Sequence, residues 1–166
     1  MNQPTSRTPM ALPYIDVRDS GVHGLGAFAA KAIPAGTVIG HYAGRRYGPD
    51  EIRHRNWDHD LTHVFGLSDG GVIDGAEGGN ATQYLNHSCR PNCEAQEIEG
   101  DEGPSVIIVA LGRIARGAEL SLDYGLDVGD NDPADYPCRC GALACRKTLV
   151  RTTAEHAGSL AGAHSG

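Results

Sequence analysis

Three cysteines lie close together near the C-terminus: Cys138, Cys140 and Cys145, within CRCGALACRK. Three thiols at this spacing are one ligand short of a closed tetrahedral zinc site, which takes four. A fourth cysteine, Cys89, lies far upstream within NHSCRPN. If Cys89 completes the set, the metal joins the end of the chain to a central loop. Gly141 allows the sharp turn that lets a C-x-C pair share one ion.

The cysteines have two other interpretations, a chance cluster and a redox pair. A redox pair leaves the third and fourth thiols unexplained, and the close spacing argues against chance. The chain has five cysteines, so Cys93 is left over. We expect Cys93 to be a small buried apolar residue with no further role.

The central loop is rich in hydrogen-bonding side chains. Asn86, His87 and Ser88 follow one another directly, and Pro91 bounds the turn. Such a run is too polar for an unsupported core segment. Tyr124 lies between the two cysteine-bearing segments. A metal at this place would therefore assemble a site from distant parts of the chain.

The composition limits the class of protein. With 166 residues, 40% of them hydrophobic, the chain is long enough for one domain with a core and too short for two ordinary ones. No apolar run approaches the ~20 residues of a membrane span, and the N-terminus has no stretch of signal-peptide length. We therefore expect neither membrane binding nor secretion by that route. An odd number of cysteines, four of them in metal-like positions, indicates a reducing compartment and hence a cytoplasmic location.

The net charge is -7, which disfavours direct binding of a polyanion such as DNA. It suits a basic partner, for example a lysine-rich peptide, although many soluble proteins carry such a charge for solubility alone. The sequence gives no indication of an oligomeric state.

The elements that must position these residues are short. The 23 glycines and the low aromatic content of 5% favour a loop-rich, mostly-β domain. β-Branched runs between turn signals predict strands at 37–43, 72–73, 106–111 and 120–122. A helix is predicted from Pro49 to about Trp57, because proline and two acidic residues favour a first helical turn. A second short helix is predicted at 79–85.

Four blocks of sequence then resemble one family in its order, the SET-domain protein-lysine methyltransferases with a post-SET zinc motif. GVHGLGAFA with IPAGTVIGHYAG resembles the family's opening block, and VIDGAEGGNATQYLNHSCRPN its central block. GAELSLDYG resembles the block with the catalytic tyrosine, and CRCGALACRKTL the post-SET segment. The resemblance covers about residues 15–150. No cysteine-rich pre-SET block is present in this sequence, as in compact bacterial or viral relatives.

The resemblance implies a fold of several small curved sheets with a knot-like crossing, a short helical insert and a zinc-binding tail. It divides the chain into a SET domain at 13–125 and a post-SET zinc segment at 126–152. We expect the flanking segments 1–12 and 153–166 to be disordered, because they are polar and have little to bury.

The resemblance also assigns S-adenosylmethionine as cofactor, held by the backbone of Gly24, Leu25 and Gly26 and by Asn86 and His87. His63 is placed where related enzymes often have a further cofactor contact. The zinc ligands would be the four cysteines named above.

By the same resemblance, Tyr124 is the catalytic tyrosine, in the family pattern that Glu119, Leu120 and Asp123 complete here. Tyr42 would line the channel for the target lysine. The implied reaction moves a methyl group from S-adenosylmethionine to a lysine of a basic protein, a histone or histone-like protein. For a eukaryotic histone the location would be nuclear or host-targeted.

The residue at position 122 bears on how many methyl groups the target lysine can carry. Leu122 stands where the family often has a phenylalanine or tyrosine that limits the methylation state. A leucine has no hydroxyl to hold a water there, so we expect di- or trimethylation.

The alternatives to an enzyme are a non-catalytic SET-like domain that binds a partner or zinc, and a zinc-binding interaction module without cofactor. The latter leaves GVHGLG and ELSLDYG unexplained.

Overall fold

A computed structural model describes residues 12–55 and 61–151, and these residues form a mostly-β domain of short strands. The segments expected to be disordered, 1–12 and 153–166, lie outside the described residues except for Leu12, and so does the end of the helix at Trp57. None of the helices among the described residues has the length and apolar character needed to cross a membrane.

The described strands form four small sheets. Two of these are pairs: antiparallel β1 (Ile15–Asp19) with β2 (Leu25–Ala29), and parallel β7 (Asn86–His87) with β10 (Ser121–Leu122). The third is antiparallel, in the order β3 (Val38–His41), β9 (Gly103–Ala110), β8 (Cys93–Gly100). The fourth is antiparallel, in the order β4 (Arg45–Tyr47), β6 (Val72–Asp74), β5 (Val64–Gly66). β5 and β8 are thus edge strands.

One hydrophobic core lies between the sheets. Its largest fully buried apolar side chains are Ile33, Ile39, Leu85, Ile108 and Leu120. Each contributes roughly 1.5–3 kcal/mol of transfer free energy relative to an exposed side chain. Because Leu85 and Leu120 directly precede β7 and β10, the core fixes the two segments that carry the polar loop and the tyrosine block.

Asn92 joins the same two segments by its side chain. Its Nδ2 donates to the carbonyl oxygen of Glu119 at 2.8 Å, and its Oδ1 accepts from the backbone N–H of Ser121 at 2.9 Å. The amide thereby pairs the backbone on both sides of buried Leu120. The adjoining β7–β10 pair is too short to hold the segments together by itself.

The mostly-β class with several small sheets is confirmed, and all four predicted strands are present with shifted ends. The helix α1 spans Pro49–Ile52, within the predicted range. The helix predicted at 79–85 is instead a 3₁₀ turn, Ala81–Tyr84. Asn80 caps this turn by accepting from the Thr82 N–H at 3.0 Å, and the extended backbone of Leu85 ends it. The knot-like crossing stays a prediction.

Candidate active site and zinc centre

The four cysteines predicted to bind zinc converge on one point. The sulfur atoms of Cys89, Cys138, Cys140 and Cys145 all lie within 4.8 Å of one another. The distances from Cys89 to Cys138 and to Cys145 are 3.7 and 3.9 Å, and Cys138 lies 3.7 Å from Cys145. Four thiolates around zinc at about 2.3 Å stand about 3.8 Å apart, so the cluster has the dimensions of a tetrahedral site.

Backbone N–H groups surround these sulfurs. Each sulfur accepts at least one such hydrogen bond. The four bonds of 3.4 Å come from the N–H groups of Cys89, Cys140, Arg146 and Lys147. Although burial acts in the opposite direction, the N–H groups of Cys89 and Ala142 help to lower the pKa of Cys140 to about 6. Donors aimed at sulfur stabilise the thiolate that a metal requires. The donor set therefore fits zinc. Cys93 lies outside the cluster and is fully buried, as expected for a core residue.

The imidazole of His87 lies between this cluster and the catalytic candidate Tyr124. The backbone N–H of Tyr124 donates to His87 Nδ1 at 3.1 Å, which leaves the proton of a neutral ring on Nε2. Nε2 lies 3.3 Å from the sulfur of Cys89, in position to donate to it. Burial lowers the pKa of His87, which favours this neutral form. With both ring nitrogens engaged, His87 has only its backbone left to form hydrogen bonds with a cofactor.

The predicted glycine turn is tied to Asn86. Gly24 has a φ of 46°, which favours glycine, and it closes the loop between β1 and β2. Asn86 Nδ2 donates to the carbonyl oxygen of Leu25 at 3.2 Å and to Glu119 Oε1 at 2.9 Å. A Cβ at Gly26 would stand 2.5 Å from Glu119 Oε1, so only glycine fits there without displacing that carboxylate. The structure thus brings the turn, Asn86 and the tyrosine block together.

Part of this cluster remains available for a ligand. Asn86 Oδ1 accepts no hydrogen bond from the described residues, and Gly24 and Leu25 are exposed. A carboxamide oxygen beside exposed backbone can bind an ammonium and adjacent polar groups. Within the described chain, no hydrogen bond links His63 to this cluster. The carbonyl oxygen of His63 accepts instead from Tyr42 and Gly75.

Tyr124 is held at its hydroxyl as well as at its backbone. The hydroxyl donates to the carbonyl oxygen of Leu85 at 2.9 Å, and burial raises the pKa of Tyr124 to about 12. The group is therefore protonated at neutral pH, and its oxygen can still accept a hydrogen bond.

Tyr42 is buried beside this site. Burial raises its pKa, and the nearby Tyr124 and Asp74 act in the same direction. Its hydroxyl donates to the carbonyl oxygen of His63 at 2.8 Å, and its ring packs edge-on against Phe65 with centroids 4.4 Å apart. Tyr42 thus lies behind Phe65, which lines the adjacent groove.

A groove of about 770 Å³ opens at Tyr124. The edge strands β5 and β8 both contribute to its lining, and so does the segment that follows Tyr124. Its charged lining residues are four carboxylates and one cation, namely Glu94, Glu97, Asp123, Asp127 and Arg151. The oxygens of Glu97 accept from the backbone and hydroxyl of Ser68, which fastens the tip of the β5–β6 hairpin to β8. The groove therefore favours a cationic, extended ligand.

Two functional side chains were missed by the sequence reasoning. Glu119 accepts from Ser20 Oγ at 2.7 Å as well as from Asn86, and so anchors the glycine turn. Arg146 donates to both carboxylate oxygens of Asp123, at 2.6 and 2.7 Å. The signal for Glu119 was its place in ELSLDYG, whereas Arg146 is distinguished only by following Cys145 directly.

Comparison with known proteins gives matches over the same region. The SET domain family matches residues 24–125. Histone-lysine N-methyltransferase trr of Drosophila melanogaster is 39% identical over 134 residues, 78% of this chain. Histone-lysine N-methyltransferase 2B of Homo sapiens is 36% identical over 139 residues, 81% of this chain. A histone-lysine N-methyltransferase, H3 lysine-4 specific, of Mycosarcoma maydis is 32% identical over 136 residues, 78% of this chain.

The matched region covers only 6%, 5% and 9% of the lengths of these three relatives. The family match, by contrast, extends over more than half of this chain and includes the glycine turn, the NHSC loop and Tyr124. The chain therefore belongs to the SET domain family.

Proposed function

We propose that the protein is an S-adenosylmethionine-dependent protein-lysine N-methyltransferase whose substrate is a lysine of a basic protein, histone or histone-like. The observation that carries the proposal is the placement of Tyr124. It lines the acidic groove, and His87 and the β7–β10 pair connect it to the Asn86 cluster. The relatives described above are named as histone-lysine N-methyltransferases, in agreement with this reaction.

The cofactor is assigned to the glycine turn. Gly24, Leu25 and Gly26 would hold it by their backbone, and Asn86 by Oδ1 and His87 by its backbone would complete the contact. Glu119 keeps these groups in place. Bound there, S-adenosylmethionine supplies a methyl group activated by a sulfonium. His63 remains a further candidate contact.

The chain must then deliver a neutral lysine amine. A free lysine has a pKa of about 10.4, so little neutral amine is present at neutral pH. Apolar groove residues such as Phe65 and Val106 would desolvate the side chain and lower its pKa. Protonated Tyr124 can accept a hydrogen bond from the amine and align it. Tyr42 would support this channel from behind Phe65.

The cysteine cluster is assigned a structural zinc ion. Four thiolates leave no open coordination position, which is the pattern of structural rather than catalytic zinc. Cys89 lies two residues beyond the Asn86–His87 strand, and the other three belong to the tail. Zinc would hold segment 126–152 over the site, where Asp127 and Arg151 already line the groove.

The test is transfer of label from radiolabelled S-adenosylmethionine to a panel of histones, other basic proteins and acidic proteins of similar size. Transfer to lysines of the basic proteins, weakened by salt because the groove charges are screened, is the expected result. Binding of the cofactor without transfer to any protein would favour the non-catalytic SET-like module. Absence of cofactor binding would favour a zinc-binding interaction module.

Replacing Leu122 with tyrosine is expected to shift the product towards monomethyl-lysine. Leu122 is buried in β10, close to Tyr124, and brings no hydroxyl to hold a water where a second or third methyl group must fit. The measurement is mass spectrometry of the methylated peptide over time. Overpacking costs roughly 1–3 kcal/mol, so thermal unfolding is measured in parallel.

The matched control is Leu122→Phe, which adds a ring without the hydroxyl and is expected to retain more of the higher states. A wild-type product that stops at monomethyl-lysine on every active substrate contradicts this proposal. So does a Leu122→Tyr variant that trimethylates as the wild type does.

A further inference from the structure

We propose that Arg146 is a positioning residue for methyl transfer: through Asp123 it fixes the backbone of Tyr124 to the zinc loop. The zinc loop, residues 138–147, would then set the geometry of the lysine channel besides holding the tail in place. The inference rests on the proposed function only for its kinetic readout, since its structural consequence is measurable without turnover.

Arg146 has contacts at both sites. Its backbone N–H donates to the sulfur of Cys89 at 3.4 Å, and it directly follows the zinc ligand Cys145. Its guanidinium donates two hydrogen bonds to Asp123, and its side chain is only 14% exposed. A two-bond guanidinium–carboxylate pair fixes orientation as well as distance. One residue therefore links the zinc loop rigidly to the tyrosine block.

Asp123 transmits this restraint to the catalytic position. It directly precedes Tyr124, and its Oδ1 also accepts from the backbone N–H of Gly125 at 3.1 Å. The carboxylate thus holds the chain on both sides of the tyrosine. Burial would raise the pKa of Asp123, but the hydrogen bonds from Arg146 outweigh it and lower that pKa, so the carboxylate is charged at neutral pH.

A second connection, through His87, also links the cysteine cluster to the backbone of Tyr124. His87 joins the sulfur of Cys89 to the backbone N–H of Tyr124. The zinc loop and the NHSC loop therefore reach the backbone of residues 123–125 from two directions. Alignment of reacting groups is sensitive to displacements of ~1 Å, which can cost about 100-fold in rate. Loss of one connection should loosen Tyr124 without unfolding the domain.

The experiment compares Arg146→Gln with Arg139→Gln, which removes the same charge from an exposed position of the same loop. Zinc content, amide hydrogen exchange at Tyr124 and Gly125, and kcat with both KM values are measured for each. We expect Arg146→Gln to retain one zinc per chain and to exchange these amides at least about tenfold faster. Its kcat should fall roughly 10- to 100-fold, with a smaller change in the KM for the cofactor.

A conservative variant separates charge from geometry. Arg146→Lys keeps the charge but loses the two-bond fork, so it should restore amide protection only in part. Asp123→Asn, which keeps Arg146 in place, should accelerate the same amides if Arg146→Gln proves too unstable to study. Arg139→Gln should match the wild type in every measurement.

Unchanged amide exchange in Arg146→Gln and in Asp123→Asn would overturn the inference, whatever their activity. Loss of zinc from Arg146→Gln in step with its loss of activity would also overturn it, because the effect would then come from the metal. If the wild type transfers no methyl group, the proposed function fails separately, and amide exchange alone decides on the role of Arg146.

Discussion

Replacing Tyr124 with phenylalanine is expected to lower kcat by about 100- to 1000-fold, the usual cost of removing one hydrogen-bonding group at a reaction centre. The hydroxyl is oriented by its hydrogen bond to the carbonyl oxygen of Leu85. Burial raises the pKa of Tyr124 to about 12, so the hydroxyl is protonated at neutral pH. In the proposed mechanism this protonated hydroxyl would serve as a hydrogen-bonding group at neutral pH and not as a base. The measurement is single-turnover methyl transfer with saturating cofactor and peptide.

Binding of the cofactor and the fold should survive this change. The lost hydrogen bond contributes about 0.5–1.5 kcal/mol to stability, and the ring contact with His87, at a centroid distance of 5.4 Å, remains. Tyr14→Phe is the matched control, because its ring packs under Lys31 outside the site. Tyr124→Phe with wild-type turnover would remove Tyr124 from the mechanism.

Replacing Cys89 with serine is expected to weaken zinc binding and cofactor binding together. The variant loses one of four clustered sulfurs, and the Asn86–His87 strand, which is proposed to hold the cofactor, ends two residues before it. We expect cofactor affinity to fall roughly tenfold or more, which corresponds to about 1.4 kcal/mol. Serine keeps an oxygen that can accept from His87, so the effect reports mainly on the metal. Zinc content and calorimetric titration with S-adenosylmethionine measure the two losses.

Cys93→Ala is the control for this result, because it removes a buried thiol outside the cluster. Zinc content and cofactor affinity should then stay near their wild-type values. A Cys89→Ser protein that loses zinc but binds cofactor as before would break the proposed connection between the two sites.

The sequence predicted the parts of the fold whose residue types and spacing are typical of a single structural role. Three cysteines suited one metal by their spacing, and the family resemblance assigned Cys89 as the fourth ligand. The structure brings these four sulfurs together. Buried strands such as β9 were predicted because their apolar, β-branched residues stand between turn signals. Central strands carry this signal since both of their faces are covered.

Exposed strands and contacts between residues distant in sequence could not be predicted, because they depend on partners that only the folded chain brings together. β1 and β8 are rich in charged residues and largely exposed, so neither shows the apolar pattern of a strand. Their formation depends on partners, β2 and β9, that only the fold supplies. The role of Glu119 was hidden because its partners, Ser20 and Asn86, lie far away in sequence. Arg146 gave no signal because an arginine after a cysteine is ordinary until Asp123 lies beside it.

The separation of the cysteines along the chain has a consequence for the order of folding. Cys89 and Cys145 lie 56 residues apart, and Asn92 and Glu119, which are joined by a hydrogen bond, lie 27 residues apart. Contacts between distant residues are slow to form, because the entropy of closing the loop is lost before any contact compensates for it. During synthesis Cys138, Cys140 and Cys145 emerge after Cys89, so the four sulfurs can meet only once residue 145 has been made. With the zinc ion proposed for this cluster, the supply of zinc at that stage would limit how much newly made protein becomes functional.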